Sequence, residues 1–154
     1  MASAFFYGTL MSDDVLLRVL CGPYATPDIK QQKKDALQLR PASLIGHQRF
    51  ALKGLPFPGI IRTKSEDQVR GILCEGLNAN DVMRLDEFEG PEYDRSTAAA
   101  MVDGQRVPCQ VYLWIGGEQH LESHDWELEG FVKGALVDWL KDRSEFNMSD
   151  TLDI

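Results

Sequence analysis

Ser3-Ala4-Phe5-Phe6-Tyr7-Gly8-Thr9-Leu10-Met11-Ser12-Asp13-Asp14 changes character twice within a short span. Residues 3–7 are rich in aromatics and stopped by Gly8, which predicts a strand ending in a tight loop. Ser12, Asp13 and Asp14 then predict a helix start, with a hydroxyl to cap free N–H groups and two carboxylates at the positive end of the dipole. Val15, Leu16, Val19 and Leu20 share one helical face, and Gly22-Pro23 closes the element. A strand that passes through Gly-Thr into a helix gathers several backbone N–H groups at one point. Such a nest can hold a carboxylate or a developing oxyanion. A plain strand-to-helix turn explains the same residues, and on local chemistry alone it is the commoner outcome.

Working outward, residues 30–34 are polar and read as a loop. Residues 36–52 hold β-like pieces at 37–39, 43–45 and 48–52. Residues 54–59 carry two prolines and two glycines and read as irregular, yet Leu55, Phe57, Ile60 and Ile61 are apolar, so the segment lines a cleft or caps the core. Gln68–Leu77 reads as a strand. Asn78 or Asn80 caps a following helix whose face is Val82, Leu85 and Phe88, flanked by Met83, and which stops at Gly90-Pro91. Residues 93–102 and 107–115 form a hairpin around Asp103-Gly104, a strong turn dipeptide. Leu128, Phe131, Val132, Leu136, Val137 and Leu140 predict a last helix over 127–141, followed by a polar tail after Arg143. The order predicts one α+β domain over residues 1–154, with its core at about 4–142 and a mixed, barrel-like sheet flanked by helices. The regular βαβα alternation of a doubly wound nucleotide-binding fold is missing.

The 154 residues suit a single domain, and no internal repeat or Gly/Ser linker divides them. Sixteen basic against 24 acidic residues give a net charge of −8. An acidic surface disfavours nucleic acid and anionic membranes as partners, and no apolar run is long enough to span a bilayer. The first residues show neither a basic leader nor a long apolar core, so a cytoplasmic protein is expected. Cys21, Cys74 and Cys109 are odd in number and widely spaced, which argues against a disulfide framework or a structural zinc site. Cys21 stands at the end of a helix and faces the wrong dipole pole for thiolate activation; Cys74 and Cys109 read as strand core.

Leu85-Asp86-Glu87-Phe88-Glu89-Gly90 places Glu89 at a helix C-terminus beside the apolar face. The dipole disfavours a carboxylate there, and partial desolvation would raise its pKa toward the range useful for proton transfer. On spacing alone Glu89 is read better as a surface acid; Glu87 and Glu92 look solvated. His120-x-x-x-His124, with Glu118 and Asp125, has the spacing of a helical metal pair, but Gly116-Gly117 and the absence of an apolar face favour a solvated loop. Trp114, Trp126 and Trp139 read as packing aromatics, and Arg95 as the partner of an acid near the cleft.

Phe5-Phe6-Tyr7-Gly8-Thr9-Leu10, residues 85–90 and Tyr93-x-Arg95 together resemble the γ-glutamylcyclotransferase-like family, in its avirulence-induced-protein-like plant and fungal branch. His47-Gln48-Arg49-Phe50 through Leu55-Pro56-Phe57-Pro58-Gly59-Ile60-Ile61, Val69-x-Gly71 and Val111-Tyr112 extend the similarity over roughly residues 4–115 in order. The sequence departs at Pro58-Gly59, where many relatives carry Pro-Ala. The resemblance implies a small α+β barrel with a cavity at its mouth. It implies Glu89 as the acid/base, a substrate-binding loop of Tyr7, Gly8, Thr9 and Leu10, further substrate contacts at Pro58, Ile60 and Tyr93, and Arg95 in structural support. The implied reaction is cyclisation of a γ-glutamyl amine, a γ-glutamyl amino acid or γ-glutamyl-lysine type, to 5-oxoproline and free amine, with no metal and no cofactor. The other readings are a ligand-binding or stress-response protein on the same fold and an acyl transferase or lyase acting on a related amide.

Overall fold

In chain order the elements are β1 (Ala2–Phe6), α1 (Asp13–Cys21), α2 (Pro27–Asp35), β2 (Gln38–Ile45), β3 (His47–Ala51), β4 (Pro58–Arg62) and β5 (Gln68–Leu77). Then follow α3 (Ala79–Glu89), β6 (Tyr93–Val102), β7 (Gln105–Trp114) and α4 (Leu128–Gly134), with 3-10 turns at Thr9–Met11 and Glu118–His120. This computed structural model describes residues 1–134. The rest of the expected final helix, Trp139 and the polar tail lie outside the described residues.

Five strands close into a barrel in the order β1-β5-β2-β6-β7, and β3 and β4 form a separate two-stranded sheet. The longest pairing is the β6–β7 hairpin, in register from Tyr93↔Trp114 to Val102↔Gln105. Its turn residues Asp103 and Gly104 both have positive φ, 51° and 79°, as a two-residue type I′ turn requires. A parallel contact, Ala4↔Gln110, brings β1 against β7 and closes the ring. Side chains alternate across the barrel wall, as the two-residue period of a strand dictates. Phe5 and Leu73 point inward with Leu44, Ala100, Cys109 and Val111. Phe6 and Cys74 point outward, into a second layer with Val15, Leu16, Val19, Leu85 and Trp126. Gly71 is required where β5 meets the end of β1: a Cβ there would stand 2.2 Å from the Phe6 carbonyl oxygen. The structure therefore has the expected α+β class and barrel-like sheet.

Three local expectations need correction. Residues 30–34 belong to α2, not a loop. Thr26 caps that helix by accepting the Ile29 N–H at 3.3 Å, Pro27 stands in its first turn, and none of its residues is buried, so no apolar stripe announced it. Pro58 and Gly59 open β4 and are not irregular. Pro58 begins a strand in a sheet of only two, where its missing N–H costs no ladder bond on the free side. Ser12 does occupy the N-cap position of α1, but its side chain makes no capping hydrogen bond. Among the described residues no helix is long and apolar enough to cross a membrane.

Candidate active site

The mouth of the barrel is built where β1 gives way to the turn Thr9–Met11. Tyr7 is fixed at both its ends. Its hydroxyl donates to the Tyr112 carbonyl at 2.5 Å and accepts the Ile60 backbone N–H. Its carbonyl accepts from Arg49 Nη1 at 2.7 Å. Gly8 lies against Pro58, whose ring carbons would stand 3.0 Å from any Cβ added there. The Gly8 and Thr9 carbonyls accept from the Met11 and Ser12 amides, each at 3.0 Å. The first amides of such a turn have no carbonyl of the turn to bond.

A cavity of about 60 Å³ opens here, lined by residues 5–10, Phe57, Pro58, Phe88, Glu89, Tyr93 and Tyr112. Residues 7–10 and Glu89, far apart in sequence, thus share one wall-to-wall space. Tyr93 donates to the Pro58 carbonyl at 2.7 Å and sets its ring edge-on to Trp114, 5.2 Å between centroids. Gly59 makes that packing possible, since a Cβ would come within 2.9 Å of Trp114 Cβ. The departure from Pro-Ala therefore has a steric reason. Ile60 does not reach the cavity. It is 0% exposed inside the barrel, and contributes only its backbone N–H to Tyr7; the expected substrate contact through its side chain is corrected accordingly.

Glu89 is the last residue of α3, which ends at Gly90 with φ +81°. Part of its side chain touches solvent, while protein surrounds its carboxyl group. Burial, and after it the charge of Asp86, pushes the Glu89 carboxyl up to about 8. Among the described residues no hydrogen bond or ion pair holds that carboxyl. Asp86, one turn earlier, is held twice at a single oxygen: Tyr112 Oη donates to Oδ1 at 2.7 Å and Arg95 Nε at 2.9 Å. Arg95 extends further to Gln110 Oε1 at 3.3 Å. Burial also raises the Tyr7 and Tyr112 hydroxyls above their ordinary value, so both remain protonated.

Tyr112, Asp86, Phe88 and Arg49 were not singled out from the sequence as site residues. Asp86 had one available signal, its position three residues before Glu89 on the same helix face. His120 lies edge-on to Trp114, 6.4 Å between centroids, and His124 Nδ1 approaches the Asp125 carbonyl at 2.9 Å. Among the described residues no three His, Cys, Asp or Glu side chains converge as a ligand set.

The carboxyl at the end of α3 and the turn that follows β1 thus line one cavity at the mouth of a small barrel. Residues 4–128 match the family model described as gamma-glutamyl cyclotransferase, AIG2-like, and the chain belongs to that family. The Arabidopsis thaliana AIG2-like protein D is 29% identical over 149 residues, covering 95% of this chain and 89% of that protein. A solution structure of an Arabidopsis thaliana protein superposes with a TM-score of 0.63 at 22% identity, covering 91% of this chain and 78% of that one. A structure described as gamma-glutamyl cyclotransferase gives a TM-score of 0.54 at 13% identity, covering 91% and 84%. At these identities the two structures bear on the fold alone.

Proposed function

We propose that the protein cyclises a γ-glutamyl amine, releasing 5-oxoproline and the free amine. The carrying observation is that the Glu89 carboxyl, without a hydrogen-bond or ion-pair partner among the described residues and pushed up to about 8, lines the same cavity as residues 7–10. Amines and a carboxyl of that kind exchange a proton at little cost, which is the condition for general acid–base catalysis near neutral pH. The reacting groups belong to one molecule, so the site has to fold the chain and move protons rather than gather two reactants.

The Glu89 carboxylate takes one proton from the substrate's α-ammonium. The freed nitrogen lone pair attacks the γ-carbonyl carbon and forms the lactam C–N bond. The carbonyl oxygen gains negative charge, and amides of residues 8–10 either stabilise it or hold the α-carboxylate. As the tetrahedral centre collapses, the original C–N bond breaks and the leaving nitrogen receives the proton from Glu89; the second proton, shed by the attacking nitrogen as it becomes the lactam N–H, passes by the same carboxylate to the amine, which departs as R–NH3+. No water is consumed. Pro58 and Tyr93 form the wall beside the turn, and Arg95 supports it through Asp86.

The test is incubation with a panel of γ-glutamyl amines, γ-glutamyl amino acids and ε-linked γ-glutamyl-lysine among them, in ¹⁸O-labelled water. Equal amounts of 5-oxoproline and free amine, with no label in the 5-oxoproline, are expected. Labelled glutamate would mean hydrolysis, and a new γ-glutamyl amide formed from an added amine would mean acyl transfer. Binding of the panel without any product would leave a ligand-binding protein.

A further inference from the structure

Asp86 and Glu89 stand three residues apart on α3, so their side chains share a face, with Cβ atoms about 5–6 Å apart. Like charges at this spacing repel, and both lie toward the negative end of the helix dipole. The surroundings resolve the conflict unequally. Asp86 Oδ1 receives both Tyr112 Oη, at 2.7 Å, and Arg95 Nε, at 2.9 Å. Two donors on one oxygen, one of them cationic, give Asp86 the partners that Glu89 lacks. Glu89 receives no such bond among the described residues, and burial and the neighbouring charge favour its neutral form.

The other titratable and charged groups around the pair are accounted for by their own partners. From the end of β1, Tyr7 gives its proton to the Tyr112 carbonyl. From β6, Tyr93 gives its proton to the Pro58 carbonyl. From β3, Arg49 is engaged by the Tyr7 carbonyl and by Asp125, with Nε 2.8 Å from Oδ1. The turn Thr9–Met11 contributes Thr9 and Leu10 to the cavity lining, and α1, which also packs on α3, contributes no described lining residue.

We propose that Asp86 is a positioning residue for Glu89, its charge keeping a proton on Glu89 in the empty site, and that Arg95 and Tyr112 set how strongly that charge acts. The catalytic consequence rests on the function proposed above. A γ-glutamyl amine arriving with its ammonium group would offset the Asp86 charge and release Glu89 to act as the base. The resting proton of Glu89 would thus leave to solvent when an ammonium group occupies the cavity, and the carboxylate so formed would take the proton whose loss makes the amine a nucleophile.

The two partners of the ion pair should act on Glu89 in opposite directions. Asp86→Asn removes the repelling charge and eases ionisation of Glu89. Arg95→Gln leaves the Asp86 charge less compensated and hinders it, and Tyr112→Phe does the same more weakly. A merely structural ion pair would give losses of one sign from both of its ends.

The test is an NMR titration of the Glu89 carboxyl carbon in the ¹³C-labelled full chain, assigned by its disappearance in Glu89→Gln. The midpoint should fall by about one pH unit in Asp86→Asn and rise by about half a unit in Arg95→Gln. Shifts of the same sign, or no shift in either, overturn the proposal. Should Asp86→Asn fail to fold, the sign of the Arg95→Gln shift decides: upward supports the proposal, downward or absent overturns it. The acidic limb of the 5-oxoproline pH profile should follow the same two directions. Opposed midpoint shifts in a chain that makes no 5-oxoproline would uphold the coupling and remove the proposed function. An active chain with an unmoved midpoint would do the reverse.

Discussion

Asp81, in the first turn of α3, and Glu89, at its last residue, are carboxylates on one helix, both drawn into the protein. Asp81 is 2% exposed, and its Oδ2 is engaged twice. It accepts the Asn78 N–H at 2.9 Å and Lys33 Nζ at 2.6 Å, while its own N–H goes to Asn78 Oδ1 at 2.7 Å. It also sits at the positive end of the helix dipole, where a negative charge is welcome. Glu89 sits at the other end and has none of these partners. Burial alone therefore does not mark a carboxylate for chemistry. The contrast lies in what surrounds it: one end of α3 satisfies its acid and thereby fixes the helix, and the other leaves its acid loose in a cavity.

The largest expected effect comes from replacing Glu89 with Gln and following stability against pH. The folded chain holds the Glu89 proton up to about 8 against an ordinary 4.5, so it binds more protons than the unfolded chain between those values. Stability from this group is complete below about 4.5 and is lost as pH rises through about 8. Glu89→Gln and wild type should be nearly equal at pH 4.5, with the variant gaining as pH rises. The full gap is at most about 5 kcal/mol, and roughly half that for a side chain in partial contact with water. Denaturant melts at the two pH values measure it, and parallel curves would break the contrast. Asp81→Ala comes next. It removes the capping box and leaves Lys33 without its acceptor, for an expected loss of about 2 kcal/mol, with activity of the folded fraction unchanged. Asn78→Ala removes one half of the box and should cost about 1 kcal/mol in the same melts.

The contrast also shows which parts of the molecule were legible in the sequence. The hairpin, β5 and α3 could be read because Asp103-Gly104, Asn78 and Gly90 are local signals whose chemistry is complete within a few residues. α2 could not, because its nine residues bury nothing; ion pairs of Lys33 with Asp81 and Lys34 with Asp13 tie it to other helices. Such pairs leave no periodic trace. β4 was hidden by prolines and glycines that act as turn residues elsewhere. Motifs drew attention to Glu89 and residues 7–10, which the structure places in the lining of one cavity. The support of Asp86 was not legible, because Tyr112 and Arg95 come from two other strands. Ile60 was misplaced for a related reason: a linear motif does not say which face of a strand a residue occupies.

The most direct measurement is the rate of 5-oxoproline release from a γ-glutamyl amine by wild type, Glu89→Gln and Glu87→Gln, with binding of the same ligand measured in parallel. Gln keeps the size of Glu89 but cannot accept the ammonium proton, so release should fall by at least ~10²-fold, while binding changes far less. Glu87, exposed on the same helix, should be replaceable with release nearly intact. Normal turnover by Glu89→Gln, above all beside an inactive Glu87→Gln, would contradict the assignment of Glu89 as the group that moves the proton.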